Sequence, residues 1–238
     1  MPASGRAGSV TIFLREASAG APRDRTLLAD AVAAAAGVAP ESVWLETACA
    51  RCGSTEHGKP VVRAPVGSGG GRIQVSLSRA GGLVGVAVLC AEAGEVADGQ
   101  AACFPAGIGL DLTSIADVAR ASIDAALHPS ELAALRTLPE ARRTERRALL
   151  WTAKEAVLKA AGVGLNTDPA LLELRVGPDD TIALIGAPPL FAVEAPPRIT
   201  AFNLPGGLVG ALATLGEGAD GIRFVRLTPA LTPTDGAS

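Results

Sequence analysis

The sequence predicts an α+β fold, a pseudo-twofold pair of similar α+β subdomains in one chain with a cleft between them. Two observations carry that prediction. DAVAAAAGV, Asp30 to Val38, matches EAVLKAAGV, Glu155 to Val163, at six of nine positions with an offset of 125 residues. GGLVG recurs at Gly81–Gly85 and Gly206–Gly210 with the same offset. Around it, RIQVSLSRAGGLVGVAVL (Arg72–Leu89) parallels RITAFNLPGGLVGALATL (Arg198–Leu215), with one residue fewer in the second turn. A period this long marks paired subdomains and not a solenoid of short repeats.

Each half opens with a helix, from about Arg25 to Ala36 and from about Glu145 to Ala161. Gly37 and Gly162 follow them, suited to the left-handed position past a helix end. A hairpin comes later in each half. In the first, Ile73, Val75 and Leu77 alternate with Gln74, Ser76 and Ser78, the period of a strand with one buried face. Paired glycines relieve the φ restriction at the turns. Glu92 to Gly107 is a polar connection between the halves, which sets the subdomains at residues 1–105 and 106–238. Ala64 to Gly71 reads as a flexible loop. The chain before Val10 and after Thr228 reads as frayed ends.

Composition excludes several classes of function. Hydrophobic residues make up 48% of the 238 and charged residues 19%, enough apolar material for a sizeable core. Aromatics are only 3%, so alanine, valine, leucine and glycine fill the interior. A net charge of −3 makes no electrostatic case for nucleic acid or an anionic membrane surface. No apolar run reaches the roughly 18 residues a membrane span requires. MPASGRAGSV lacks the apolar centre of a secretory signal, so a cytoplasmic protein is expected. Cys49, Cys52, Cys90 and Cys103 do not make a disulfide framework in a chain this long. Cys49, Cys52 and His57 offer three zinc-type ligands where a structural site needs four, and ordinary thiols are the preferred reading. Cys90 or Cys103 supplies a fourth only if the fold brings it close.

Chemistry is expected where the two copies disagree. Glu155 and Lys159 replace Asp30 and Ala34 of the first helix, and with Trp151 they fall at i, i+4 and i+8 along one stripe. An i, i+4 ion pair on a solvated face is the plainer reading, worth a few tenths of a kcal/mol. The second departure is AGIGLDLTSI, Ala106 to Ile115. As a strand it puts Ile108, Leu110 and Leu112 on one face and Gly107, Gly109 and Asp111 on the other. An unpaired carboxylate on such a strand costs several kcal/mol. A cation held by carboxylates, with a phosphate lying across the glycine face, fits the pattern. A turn in which Asp111 ends the strand and bonds backbone amides is the alternative.

GIGLDL, followed by WTAKEAVLK with Trp151 forty residues after Asp111, resembles the 4′-phosphopantetheinyl transferases. The likeness is to the large monomeric type that activates polyketide and nonribosomal peptide synthases, as against the smaller synthases that assemble the site from separate chains. Thr152, Lys154, Glu155, Ala156 and Lys159 fit the family's helix motif. RDRTLLAD (Arg23–Asp30), HGKP (His57–Pro60) and VSLSRAG (Val75–Gly81) resemble its first-half motifs.

The resemblance implies transfer of the phosphopantetheine arm of coenzyme A onto a serine of an apo acyl or peptidyl carrier protein, releasing adenosine 3′,5′-bisphosphate. It implies Mg²⁺ held by Asp111 and Glu155, and positive charge from Lys159 at the transferring phosphate. Glu155 or a metal-bound water takes the serine proton. Arg25, Thr26, Lys59 and Pro60 are implied at the nucleotide, Ser78 and Arg79 at its 3′-phosphate, and Lys154 either at coenzyme A or on the helix surface.

Two positions depart from the pattern. Arg79 stands where the family has a histidine, and Thr113 where a second acidic residue is common. A degenerate homologue that binds coenzyme A or a carrier protein without transfer is the alternative. A monomer is expected, since both halves are in one chain.

Overall fold

The computed structural model of the chain describes residues 9–17, 24–49, 52–64, 72–90, 107–188, 196–216 and 221–226. The expected frayed ends (save Ser9), most of the Ala64–Gly71 loop, the connection from Glu92 to Ala106 with the subdomain boundary, Arg23 and Cys103 lie outside the described residues.

Strand β1 (Ser9–Glu16) leads into helix α1 (Asp24–Ala36), and four strands follow: β2 (Trp44–Ala48), β3 (Lys59–Ala64), β4 (Ile73–Ala80) and β5 (Leu83–Cys90). The second half repeats this plan. Strand β6 (Gly107–Ser114) leads through short helices α2 (Ile115–Arg120) and α3 (Pro129–Arg136) into α4 (Glu140–Ala161). Strands β7 (Glu173–Val176), β8 (Ile182–Gly186), β9 (Arg198–Leu204) and β10 (Leu208–Leu215) follow, and β11 (Ile222–Arg226) ends the described chain.

The sheets run β11-β1-β5-β4-β3-β2 and β6-β10-β9-β8-β7. Apart from β11, the second order is the first with every strand replaced by its counterpart. The fold is therefore α+β, a pseudo-twofold pair. Both main helices also close alike. Val38 N–H bonds the Ala33 carbonyl at 3.1 Å and Val163 N–H that of Leu158 at 3.1 Å, around Gly37 (φ 69°) and Gly162 (φ 73°). This six-to-one closure needs a left-handed residue that glycine supplies without strain.

Four layers result. Leu28, Ala31 and Val32 of α1 pack on Phe13, Val75, Val86 and Val88 of the first sheet. Ala153, Ala156, Val157 and Ala160 of α4 pack on Val209, Ala211 and Ala213 of the second. Between the sheets, Val10, Ile12, Ala87 and Leu89 meet Ile108, Leu110, Leu112 and Leu212. Among the described residues, no helix is long and apolar enough to cross a membrane.

Several expectations need correcting. The second hairpin turn is longer, not shorter: Ala80 pairs with Leu83 across Gly81–Gly82, but Leu204 pairs with Leu208 across Pro205–Gly207. The missing residue comes out of the strand, eight long in β4 and seven in β9. Both faces of β4 are buried, because Ser76 and Ser78 turn toward β6 and not toward solvent. Finally, β11 runs parallel to β1 in the first sheet, so a subdomain bounded at 106–238 gives its last strand to the other half. That strand covers an edge of β1 that would otherwise leave backbone groups unpaired.

Candidate active site

The register explains why the two copies differ. Phe13 lies opposite Val86 in the first sheet, and Asp111 lies opposite Ala211 in the second. Val86 and Ala211 stand at the 125-residue offset, so Asp111 takes the place that Phe13 fills with core. Alternation along β6 sends Ile108, Leu110 and Leu112 into the core between the sheets and turns Gly107, Gly109 and Asp111 toward α4. The glycine face does not receive a phosphate as expected. A Cβ at Gly107 would collide with the Ala160 carbonyl, and one at Gly109 with that of Ala156. Glycine lets the helix lie directly on the strand, and that approach brings helix side chains over Asp111.

Asp111 is 6% exposed and well supplied with donors. Its Oδ1 accepts from Lys159 Nζ at 2.7 Å and from Ser78 Oγ at 2.9 Å, and its Oδ2 accepts from Thr113 Oγ1 at 3.0 Å. Lys159 also donates to the Leu110 carbonyl at 3.2 Å. The i, i+4 ion pair is therefore not how Lys159 is used, since its ammonium is on the strand carboxylate. Glu155, one turn earlier on the same half-buried stripe, has a buried Oε1 with no hydrogen-bond partner. Burial pushes its carboxyl above the usual range, Asp111 pushes it further, and Lys159 opposes both. A buried acceptor without a donor is destabilising, and a hard cation that takes oxygen ligands satisfies it. The donor set, two carboxylates and a threonine hydroxyl, fits Mg²⁺.

Ser78 and Lys154 do other work than expected. The Ser78 hydroxyl is buried, donating to Asp111 and accepting from Leu112 N–H at 2.9 Å. Ser76 accepts from Leu110 N–H in the same way at 2.9 Å. These serines pair the outer edge of β6 with the first half, so Ser78 faces the carboxylate and not a ligand phosphate. Lys154 is neither on the helix surface nor open to coenzyme A. It is wholly buried, 2.7 Å from Glu131 Oε2 and 3.0 Å from the Ala126 carbonyl. Burial lowers its pKa and Glu131 opposes that. Glu131 also accepts from His128 N–H and Leu174 N–H, both at 2.8 Å. It thereby fastens α3, α4 and β7 together. Sequence reasoning missed it, although Pro129 at the first helical position and Glu131 two residues later mark a capped helix start.

The expected nucleotide residues lie in the first half. Lys59, half-buried at the start of β3, reaches the Ala160 carbonyl at the C-terminal end of α4 at 2.9 Å, and burial lowers its pKa to about 8. Pro60 is next to it, opposite Thr47 of β2. Arg25 and Thr26 are exposed in the first turn of α1. The Arg25 guanidinium donates to the Leu45 carbonyl, and Arg79 pairs with Asp24. A pocket of about 280 Å³ between the N-terminal half of α4 and the β9–β10 hairpin is lined by none of the predicted site residues.

The segment that carries this site also matches a known family: residues 107–199 match the 4′-phosphopantetheinyl transferase superfamily. Solved structures similar to the chain include three holo-[acyl-carrier-protein] synthases. That of Thermotoga maritima is 23% identical with a TM-score of 0.39, the match covering 47% of this chain and 63% of that one. The Helicobacter pylori protein, in complex with coenzyme A, is 18% identical with a TM-score of 0.39, covering 46% and 99%. The Bacillus anthracis protein is 23% identical with a TM-score of 0.40, covering 48% and 96%. No curated protein matches the chain.

Proposed function

We propose that the chain transfers the 4′-phosphopantetheine group of coenzyme A to a serine of an apo acyl or peptidyl carrier protein, with Mg²⁺, releasing adenosine 3′,5′-bisphosphate. The observation that carries this reading is the partnerless buried Oε1 of Glu155 beside Asp111 and Lys159, inside the segment that matches the family. Asp111 and Glu155 would hold the ion. When bound, it would supply Lewis acidity and neutralise charge on the departing 5′-phosphate of adenosine 3′,5′-bisphosphate.

The chain's own residues supply the rest. Lys159, fixed between Asp111 and the Leu110 carbonyl, presents positive charge where a transferring phosphoryl group gathers negative charge. The raised pKa of Glu155 brings its carboxylate nearer the basicity suited to accepting the serine proton at neutral pH. Thr113 stands where a second carboxylate would add metal affinity and instead braces Asp111. In this reading the first half holds the nucleotide through Arg25, Thr26, Lys59, Pro60 and Arg79, and the second half holds metal and phosphate. Carrier proteins of polyketide or nonribosomal peptide synthases are the proposed acceptors. The proposed active species is a monomer, because both halves needed to build one site are in a single chain, and the cytoplasm is its proposed compartment.

Incubation with coenzyme A, Mg²⁺ and a panel of apo carrier proteins, read by intact mass, tests the proposal. A carrier that gains one phosphopantetheine supports it. Coenzyme A binding with no mass gain on any carrier would instead identify a homologue that binds without transfer.

A further inference from the structure

We propose that Cys49, Cys52 and His57, in the connection between β2 and β3, form a zinc site. The sequence offers three ligands and no obvious fourth, which favours ordinary thiols on spacing alone. The fold adds the geometry. One ligand atom from each of the three lies within 4.8 Å of the other two. Cys52 Sγ is 3.4 Å from His57 Nε2. Zinc at 2.3 Å from sulfur and 2.0–2.1 Å from nitrogen, in a tetrahedral arrangement, sets those two atoms about 3.5 Å apart.

The backbone is shaped to hold this cluster. Gly53 N–H bonds the Cys49 carbonyl and Cys49 N–H bonds the Ser54 carbonyl, both at 2.9 Å, with Gly53 at φ 71°. The turn therefore folds the Cys52 end back over Cys49. His57 returns to the pair because Gly58, at φ 114°, lies so close to the Ala48 carbonyl that a Cβ there would collide with it. Thr47 Oγ1 donates to the Thr55 carbonyl, which ties the far side of the loop to β2.

Two sulfurs and an imidazole select zinc over magnesium or calcium, which prefer oxygen. Three protein ligands leave one position for water, the Cys₂His arrangement of an open zinc site. The site's place in the chain gives it a use. Lys59 follows His57 by two residues and crosses to the Ala160 carbonyl, so a metal clamp at His57 fixes where that cross-link begins.

Metal analysis of the full chain, purified with reductant and passed through gel filtration, tests this independently of any transferase activity. About one zinc per chain is expected. Cobalt substitution should give sulfur-to-cobalt charge-transfer absorption. Cys52→Ser and His57→Ala should each weaken zinc binding by more than about tenfold, while Asp111→Asn leaves zinc content unchanged. Zinc retained in Cys52→Ser, or lost in Asp111→Asn, would place the ion elsewhere and overturn the proposal. So would a wild-type chain that takes up no zinc from micromolar solution, or a Cys49–Cys52 disulfide in the reduced preparation.

Discussion

Lys159 Nζ lies 2.7 Å from Asp111 Oδ1, so the cation that α4 brings to the site is committed to the strand carboxylate. Glu155, one turn back on the same stripe, keeps a buried Oε1 without a donor. That asymmetry between the two carboxylates sets the first predictions.

Glu155 carries a raised pKa from burial first and from Asp111 second. The folded state then holds a proton more tightly than the unfolded one. Stability from this group is fully present below the unfolded value of 4.5 and is lost as pH rises through the folded value. Glu155→Gln should therefore melt higher than wild type at pH 7.5 in chelator, by roughly 2–4 °C for each kcal/mol relieved. The gap should close toward pH 4.5, and transfer should be nearly abolished. A variant that melts lower at pH 7.5 would mean the carboxylate is satisfied in the fold.

Mg²⁺ should reverse the order. An ion that binds only the folded state stabilises by about 2.7 kcal/mol at a hundred times its Kd. Titration should raise the melting temperature of wild type and leave Glu155→Gln and Asp111→Asn nearly unmoved. An equal rise in all three would exclude a shared site at these carboxylates.

Lys154 and Glu131 should behave as structure and not as ligand contacts. Removing one partner of a buried pair typically costs about 3–5 kcal/mol, so Lys154→Met should lower the urea midpoint sharply. Folded Lys154→Met should keep the wild-type coenzyme A affinity, because the side chain has no exposed surface. A selective loss of affinity with unchanged stability would restore Lys154 to the ligand.

The helix stripe of Glu155 and Lys159 and the faces of β6 were legible in the sequence, because periods of 3.6 and 2 assign faces without knowledge of the partner. What the faces meet was not. Gly107 and Gly109 signal close approach, but the sequence does not say whether a ligand or a helix approaches. Ser78 alternates like a solvent-facing residue, and only the packing of β4 against the edge of β6 buries it. Strand β11 pairs with β1 across more than 200 residues, a contact that no local pattern announces. Glu131 had a local signal, yet its partner Lys154 matched a family motif whose implied role drew the reading away.

Lys59 gives a prediction of opposite sign to Glu155. Burial lowers its pKa to about 8, below the ordinary 10.5. The charged form is penalised in the fold, so stability should rise as pH climbs from about 8 to 10.5, where the unfolded chain holds the proton more tightly. Lys59→Met should lack that rise. Urea midpoints at pH 7.5, 9 and 10 measure it, and parallel profiles for the two proteins would rule out the shift.

Arg79 and Asp24 form an exposed pair, with side chains 39% and 59% accessible. Such pairs contribute about 0–1 kcal/mol, so an incoming phosphate displaces the carboxylate at little cost. If Arg79 receives the 3′-phosphate of coenzyme A, Arg79→Ala should weaken coenzyme A by about 1.5–3 kcal/mol. Binding of 3′-dephospho-coenzyme A should hardly change. Asp24→Asn removes the competing negative charge and should tighten coenzyme A by up to about fivefold, again sparing the dephospho form. Calorimetric titration of the two ligands against the two variants gives four affinities. Equal losses for both ligands in Arg79→Ala, or weaker coenzyme A binding in Asp24→Asn, would move the 3′-phosphate away from Arg79 and leave the pair as a surface contact at the start of α1.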